Sequence, residues 1–208
     1  YQYNRIIRWD GYYDSEATGQ IRETGQWVND PLSYMEEYAF ASAFTRLNYN
    51  YQGKYYAEAL IRRDGSSKFG PNNKYGNFPA ASVGWIISEE DFMANLPHVN
   101  YLKLKTSVGK NGNSAIPSYQ WFGYYNVANN GYAGETYRYP VIRENANLRW
   151  ETSTTYDVGL EYGFFQDRIS GELAWYRKET NDMLLNVTLQ GSTGFGSWWD
   201  NVGSVYNT

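Results

Sequence analysis

From Tyr38 to Gly112 the chain reads YAFASAFTRLNYNYQGKYYAEALIRRDGSSKFGPNNKYGNFPAASVGWIISEEDFMANLPHVNYLKLKTSVGKNG. Every second residue from Ala39 to Tyr51 is uncharged (Ala39, Ala41, Ala43, Thr45, Leu47, Tyr49, Tyr51), while the interleaved set holds Arg46, Asn48 and Asn50. After Gln52-Gly53-Lys54 the alternation resumes, with Tyr55, Ala57, Ala59 and Ile61 on one face and Tyr56, Glu58, Leu60 and Arg62 on the other. A period of two predicts strands, and a short glycine-centred break between two such runs predicts a hairpin. Gly53 suits the left-handed position of a turn closed by a bulge. Parity then sets Tyr51 opposite Tyr55, Leu47 opposite Ala59 and Asn48 opposite Glu58, with Arg46 diagonal to Glu58. One face is uncharged and the other carries ions that can pair. That is the pattern of a sheet wall between lipid and a polar interior.

Composition narrows the classes. Hydrophobic residues make up 42% and charged residues 19% of 208, which excludes simple disorder. A formal charge of −4 leaves no nucleic-acid footprint. Aromatics reach 19%, with 22 Tyr and 8 Trp, so many must lie on surfaces. No run of 18 apolar residues predicts a membrane-spanning helix, but a barrel wall escapes that test because its polar half offsets its apolar half. With no cysteine there are neither disulfides nor thiolate metal sites. No signal peptide precedes Tyr1, so a mature segment or a beginning elsewhere is expected.

The chain is expected to divide into residues 1–37, a poorly assigned region with a strand over Tyr1–Trp9, and residues 38–208, a transmembrane barrel segment. Turn chemistry fills 64–77. A strand over Phe78–Ser88 has Pro79, Ala81, Val83, Trp85 and Ile87 on its apolar face, and Ser88 is expected to cap a helical turn with Asp91 three residues on. Another strand from Tyr101 alternates Leu102, Leu104, Thr106 and Val108 with Lys103, Lys105, Ser107 and Gly109. Residues 113–147 read as a long aromatic-rich loop. Arg149–Phe164 is a strand with Trp150, Tyr156, Val158 and Leu160 facing away from Glu151, Asp157 and Glu161. A tight turn at Gln166-Asp167 leads into a strand over Arg168–Asp182, and 184–200 read as a third long loop. Keeping like faces together puts Tyr162 over the bare Gly171 and Glu161 opposite Glu172. Opposed like charges destabilise a sheet, so Lys103 or Lys105 is expected to neutralise them.

Two of the three connections at one rim are tight, at Gln52–Lys54 and Gln166–Asp167, and the third is Glu89–Asn100. Those at the other rim are long. This asymmetry, with Tyr49, Tyr51, Tyr55, Tyr101, Tyr162 and Phe164 gathered at the short-turn ends, predicts an outer-membrane wall with an aromatic girdle. The lumen charge network comprises Arg46, Glu58, Arg62, Lys103, Lys105, Asp157, Glu161 and Glu172. The acids could be proposed for glycoside cleavage, but their neighbouring cations favour a neutralised lumen. His98, alone and without cysteines, is structural rather than a metal ligand. No nucleophile–base pair or phosphate-cradling loop is visible. Trp121, Phe122, Tyr132, Trp198 and Trp199 are candidates for stacking on a sugar or contacting a partner. The plainer reading is that they pack the loops together.

The blocks Phe44-Thr45-Arg46-Leu47-Asn48-Tyr49, Arg63-Asp64-Gly65-Ser66-Ser67-Lys68-Phe69-Gly70 and Phe78-Pro79-Ala80-Ala81-Ser82-Val83-Gly84-Trp85 stand in this order. They are followed by Ile87-Ser88-Glu89-Glu90, Leu102-Lys103-Leu104-Lys105, Gly112-Asn113-Ser114, Asn147-Leu148-Arg149-Trp150-Glu151-Thr152 and Asn201-Val202-Gly203-Ser204-Val205. Together they resemble the SusC-like TonB-dependent transporters of Bacteroidetes outer membranes. The departures are Ile86 in place of a basic residue, Lys110 in place of an aliphatic one, and a poor match over 1–37. The family's plug and TonB-contacting segment have no counterpart in these residues. The resemblance implies an all-β antiparallel transmembrane barrel wall, part of a barrel of about 22 strands, of which about eight are legible here. It also implies import of glycans, peptides or other large nutrients with energy passed on by TonB, a SusD-like surface lipoprotein over the pore, and outer-membrane lipid around the wall. No catalytic residue, metal or cofactor is implied. Three alternatives are a structural subunit of a larger outer-membrane complex, a soluble aromatic-rich carbohydrate-binding module, and a closed eight-stranded barrel whose interior is filled by ions such as Arg46, Glu58 and Arg62.

Overall fold

The computed structural model describes residues 2–10, 32–96, 98–128, 131 and 135–208. Its main element is an antiparallel sheet of eight strands: β1 (Gln2–Asp10), β2 (Leu32–Tyr51), β3 (Tyr55–Ser66), β4 (Tyr75–Ile86), β5 (Val99–Asn113), β8 (Glu151–Phe164), β9 (Ile169–Asn181) and β12 (Ser204–Asn207). Each pairs with the next in that order, and β1 and β12 lie at opposite edges. The sheet is therefore a wall and not a closed eight-stranded barrel. Two hairpins stand apart from it: β6 (Tyr124–Ala128) with β7 (Tyr137–Ile142), and β10 (Leu184–Thr188) with β11 (Ser197–Asn201).

The register explains the two faces. One row runs Ala57, Val83, Thr106, Val158, Trp175 across five strands; the next row runs Glu58, Ser82, Ser107, Asp157, Tyr176. Val83, Val158, Leu173 and Trp175 are all exposed. A sandwich would bury that face under a second sheet; here it is left open. At the short-turn rim, Tyr55 lies 6.3 Å from Tyr51 and is stacked 6.3 Å from Trp85, while Tyr162 stacks 5.5 Å from Phe164. Tyr162 also covers Gly171, its register partner: a Cβ there would come within 2.7 Å of the Tyr162 hydroxyl.

The turns obey their local chemistry. Gln52 and Gly53 both have positive φ, 53° and 68°, and the Gly53 amide donates to Asn50 Oδ1 at 3.1 Å. The second tight turn is less ordinary, with Phe165, Gln166 and Asp167 at φ 56°, 59° and 62°. The end of the preceding connection and the start of β5 hold it. Phe165 N donates to the His98 carbonyl at 2.9 Å, Gln166 N donates to Asn100 Oδ1 at 2.7 Å, and the His98 ring lies 5.1 Å from Phe165.

The third connection at this rim differs from expectation. It makes two short 3-10 turns, Ile87–Glu89 and Asp91–Met93, and Ser88 forms no side-chain cap for either. Glu90 does the fastening instead, accepting from the Tyr55 hydroxyl at 2.6 Å and the Trp85 indole at 3.0 Å, with Lys54 at 3.6 Å. Tyr55, then Trp85, hold its carboxyl below the usual range.

At the other rim the long connections meet. Phe69, Phe78, Ile116, Leu148, Trp150 and Leu184 form a buried cluster against which Phe40, Trp121 and Trp199 pack. Phe40 and Phe78 belong to the ion-bearing side of β2 and β4, opposite Ser66 and Arg62 respectively. The cluster therefore closes over the inner side of the wall at its mouth.

Candidate functional site

The inner face carries the expected ions, joined in separate groups. Arg46 reaches Glu58 at 2.6 Å, Arg62 reaches Asp64 at 2.8 Å, and Asp157 accepts from Ser107 Oγ at 3.2 Å. Glu161 and Glu172 are register partners, and Lys105 lies between them, 2.7 Å from each carboxylate. Lys103 is the register partner of Glu161 but its Nζ sits 5.9 Å from the Tyr56 ring centre. The reason Lys105 and not Lys103 makes the bridge is steric. Lys105 pairs with Gly159, where a Cβ would come within 2.6 Å of its Cε. The missing side chain lets the Lys105 stem cross β8 and reach β9.

Glu58, Lys103, Lys105, Asp157 and Glu172 border a shallow groove of about 650 Å³, floored by Asn48, Tyr56, Ser82, Ser107 and Gly159. Glu58 is paired with Arg46, and Glu161 and Glu172 share Lys105, so these acids are offset locally and the face is suited to contact with a polar body. In the full-length barrel, Lys105→Met is expected to lower the temperature of heat modification by several degrees, and adding Glu172→Gln to recover part of it. Strict additivity in that cycle would remove the bridge as a coupled unit.

The mouth is built on the segment Asn145–Glu151, which locks to the β10–β11 hairpin. Asn145 donates to the Trp199 carbonyl at 2.9 Å and Asp200 Oδ1 at 3.0 Å. Asn201 donates to the carbonyls of Arg149 and Asp182 at 2.8 and 2.9 Å and accepts from Arg149 N at 2.8 Å. Arg149 pairs with Asp182 at 2.7 Å, and Glu151 accepts from Leu184 N at 3.0 Å and Asn113 Nδ2 at 3.1 Å. Trp150 donates its indole N–H to the Lys74 carbonyl at 3.1 Å. Gly70 passes so close to Ala146 that a Cβ would sit 2.7 Å from its carbonyl oxygen.

The aromatic candidates separate on this platform. Trp121 and Trp199 pack against the buried cluster, which makes them supports. Trp198 lies under Arg143, whose guanidinium carbon is 4.4 Å from the ring centre. Phe122 is exposed, edge-on to Trp121 at 5.6 Å. Tyr132 lies outside the described residues. The span 113–147, read from sequence as loop, holds the β6–β7 hairpin, whose Tyr125, Val127, Tyr137 and Tyr139 are all exposed. Their period-two spacing on either side of Gly131 was the available signal. The span 184–200 likewise holds β10 and most of β11.

Residues 1–208 match the family described as TonB dependent receptor-like, beta-barrel. A TonB-dependent receptor of Formosa agariphila is 45% identical over 200 residues, covering 93% of this chain and 20% of the relative. The TonB-dependent receptor SusC of Bacteroides thetaiotaomicron is 34% identical over 208 residues, covering 96% and 20%. Among solved structures, that of the RagAB peptide transporter superposes with a TM-score of 0.77 at 33% identity, over 88% of this chain and 20% of that one. The chain thus spans about a fifth of the length of these relatives.

Proposed function

The chain belongs to the TonB-dependent receptor-like β-barrel family, and from that membership we propose that it forms a wall section of an outer-membrane importer for large nutrients, glycans or peptides. On this reading the ion-paired inner face borders the import path, TonB supplies the energy, and a SusD-like lipoprotein seats on the mouth platform. Cargo passes without covalent change. The observation that carries the reading is the platform itself: Asn145 and Asn201 fix the β10–β11 hairpin at the long-loop rim, and the β6–β7 hairpin carries the exposed Tyr125, Tyr137 and Tyr139. Exposed Tyr side chains suit a protein lid or a sugar ring, since each offers a broad apolar face at low entropy cost.

The test uses the full-length protein in its own organism. Deleting the gene should abolish growth on one class of glycan or peptide, and the wild-type gene should restore it only when TonB is intact. Serine at Tyr125, Val127 and Tyr139 together should release a co-purifying lipoprotein while the barrel still assembles. Unchanged growth of the deletion strain on every such nutrient, with the lipoprotein still bound, would favour the scaffold reading and overturn the importer.

A further inference from the structure

The outward face of the wall changes character along one line. On β3 the exposed Ile61 is followed, one outward position on, by Arg63; on β5 Val108 is followed by Lys110; on β9 Trp175 is followed by Arg177. Arg63 stands nine residues beyond Lys54 and Arg177 nine beyond Arg168, so both lie at one height above their short turns. Between the cations sit short polar residues: Asn77 is the register partner of Arg63, and Thr154 that of Lys110. A cation recurs on every second strand, at a spacing of about 10 Å given ordinary strand separation.

The inner and outer cations differ in how they are satisfied. Arg46, Arg62 and Lys105 on the inner face each hold a carboxylate. Among the described residues, neither Arg63 nor Lys110 has an ion-pair partner. Arg177 has one, Glu179 at 2.7 Å. Arg63 lies 5.0 Å over the ring of Tyr75 and Arg177 lies 5.7 Å over that of Tyr206, both rings being exposed. Stacking occupies the flat face of a guanidinium and leaves its N–H edge available to an acceptor; Glu179 already takes one arm of that edge on Arg177, and no carboxylate among the described residues takes that of Arg63. Lys110 is also one of the positions that departs from the family resemblance, where an aliphatic residue is expected.

We propose that Arg63, Lys110 and Arg177 form a collar that binds the phosphate groups of outer-leaflet lipids where the apolar band ends. Arginine and lysine are the usual partners of phosphate oxygens, basic residues beside a membrane hold anionic headgroups, and Asn77 and Thr154 supply hydrogen-bond donors between them. The occupant is a phosphorylated glycolipid headgroup, because the chain lies in an outer membrane and the cations continue directly from the lipid-facing band. The inference needs only the orientation of the wall and is independent of the cargo.

The test is lipid retention by the full-length protein in nanodiscs, read by native mass spectrometry, with phosphorylated or enzymatically dephosphorylated outer-membrane glycolipid. Combined Arg63→Gln, Lys110→Gln and Arg177→Gln should cut retention of the phosphorylated lipid on the order of tenfold or more. Wild type should hold the dephosphorylated lipid as poorly as the variant holds the intact one. Equal retention by variant and wild type, or of the two lipids by wild type, would overturn the collar. Displacement by excess inorganic phosphate alone would also overturn it, marking a free-anion site. Should the variant fail to assemble, wild-type retention must fall steeply with ionic strength; retention indifferent to salt rejects the proposal.

Discussion

Trp150→Ala in the full-length protein is expected to cost about 3–5 kcal/mol, the usual loss for a buried aromatic cut to alanine. Trp150 is only 7% exposed and lies 5.0 Å from Phe69, 5.4 Å from Phe78 and 6.5 Å from Phe40 by ring centres. It ties three connections to the inner side of the wall, and its indole satisfies the Lys74 carbonyl. The cavity and the orphaned carbonyl act together. Protease should then cut within 66–74 and 184–200, where the wild type resists. Trp150→Phe keeps most of the volume and loses the hydrogen bond, so its cost should be about 1 kcal/mol. Equal protease resistance in all three proteins would show that the cluster does not hold the mouth together.

The second large effect tests which face meets lipid. Val158 is exposed, shares a row with Val83 and Trp175, and neighbours Asp157 on the opposite face. Val158→Arg should destabilise the barrel by about 2–4 kcal/mol if the site is near the bilayer midplane. Ser107→Arg, on the inner face, should be tolerated because water and Asp157 are within reach. Urea unfolding in lipid vesicles reads both. If the serine variant fails while the valine variant folds normally, the faces are reversed.

The wall was legible in the sequence because a strand's period is short and its errors are visible. A shift of one residue between β2 and β3 would place either Glu58 or Arg46 in hydrocarbon, so parity together with the tight turns determined the pairing of Leu47 with Ala59 and Tyr162 with Gly171. The mouth was not legible for the opposite reason. Its two hairpins have strands of five or six residues, too short for alternation to stand out among so many aromatics. Asn145 and Asn201 each join residues more than fifty positions apart, and nothing in local composition announces a contact at that distance. The choice between Lys103 and Lys105 stayed open on similar grounds. Both have the right charge on the right face, and the deciding feature is the missing Cβ of Gly159 on another strand.

That missing Cβ has a bearing on how such channels diverge. Lys105 is flexible, so an alanine at 159 would leave the wall intact and simply swing the ammonium away from β9, where Glu172 waits. The inner face would then keep Lys105 on Glu161 and leave Glu172 an uncovered acid, although its formal charge had not changed by one unit. A cargo sensitive to local charge would meet a different surface after a substitution between two uncharged residues. Related walls compared by their lists of ionisable residues alone would look identical at this point and present different surfaces.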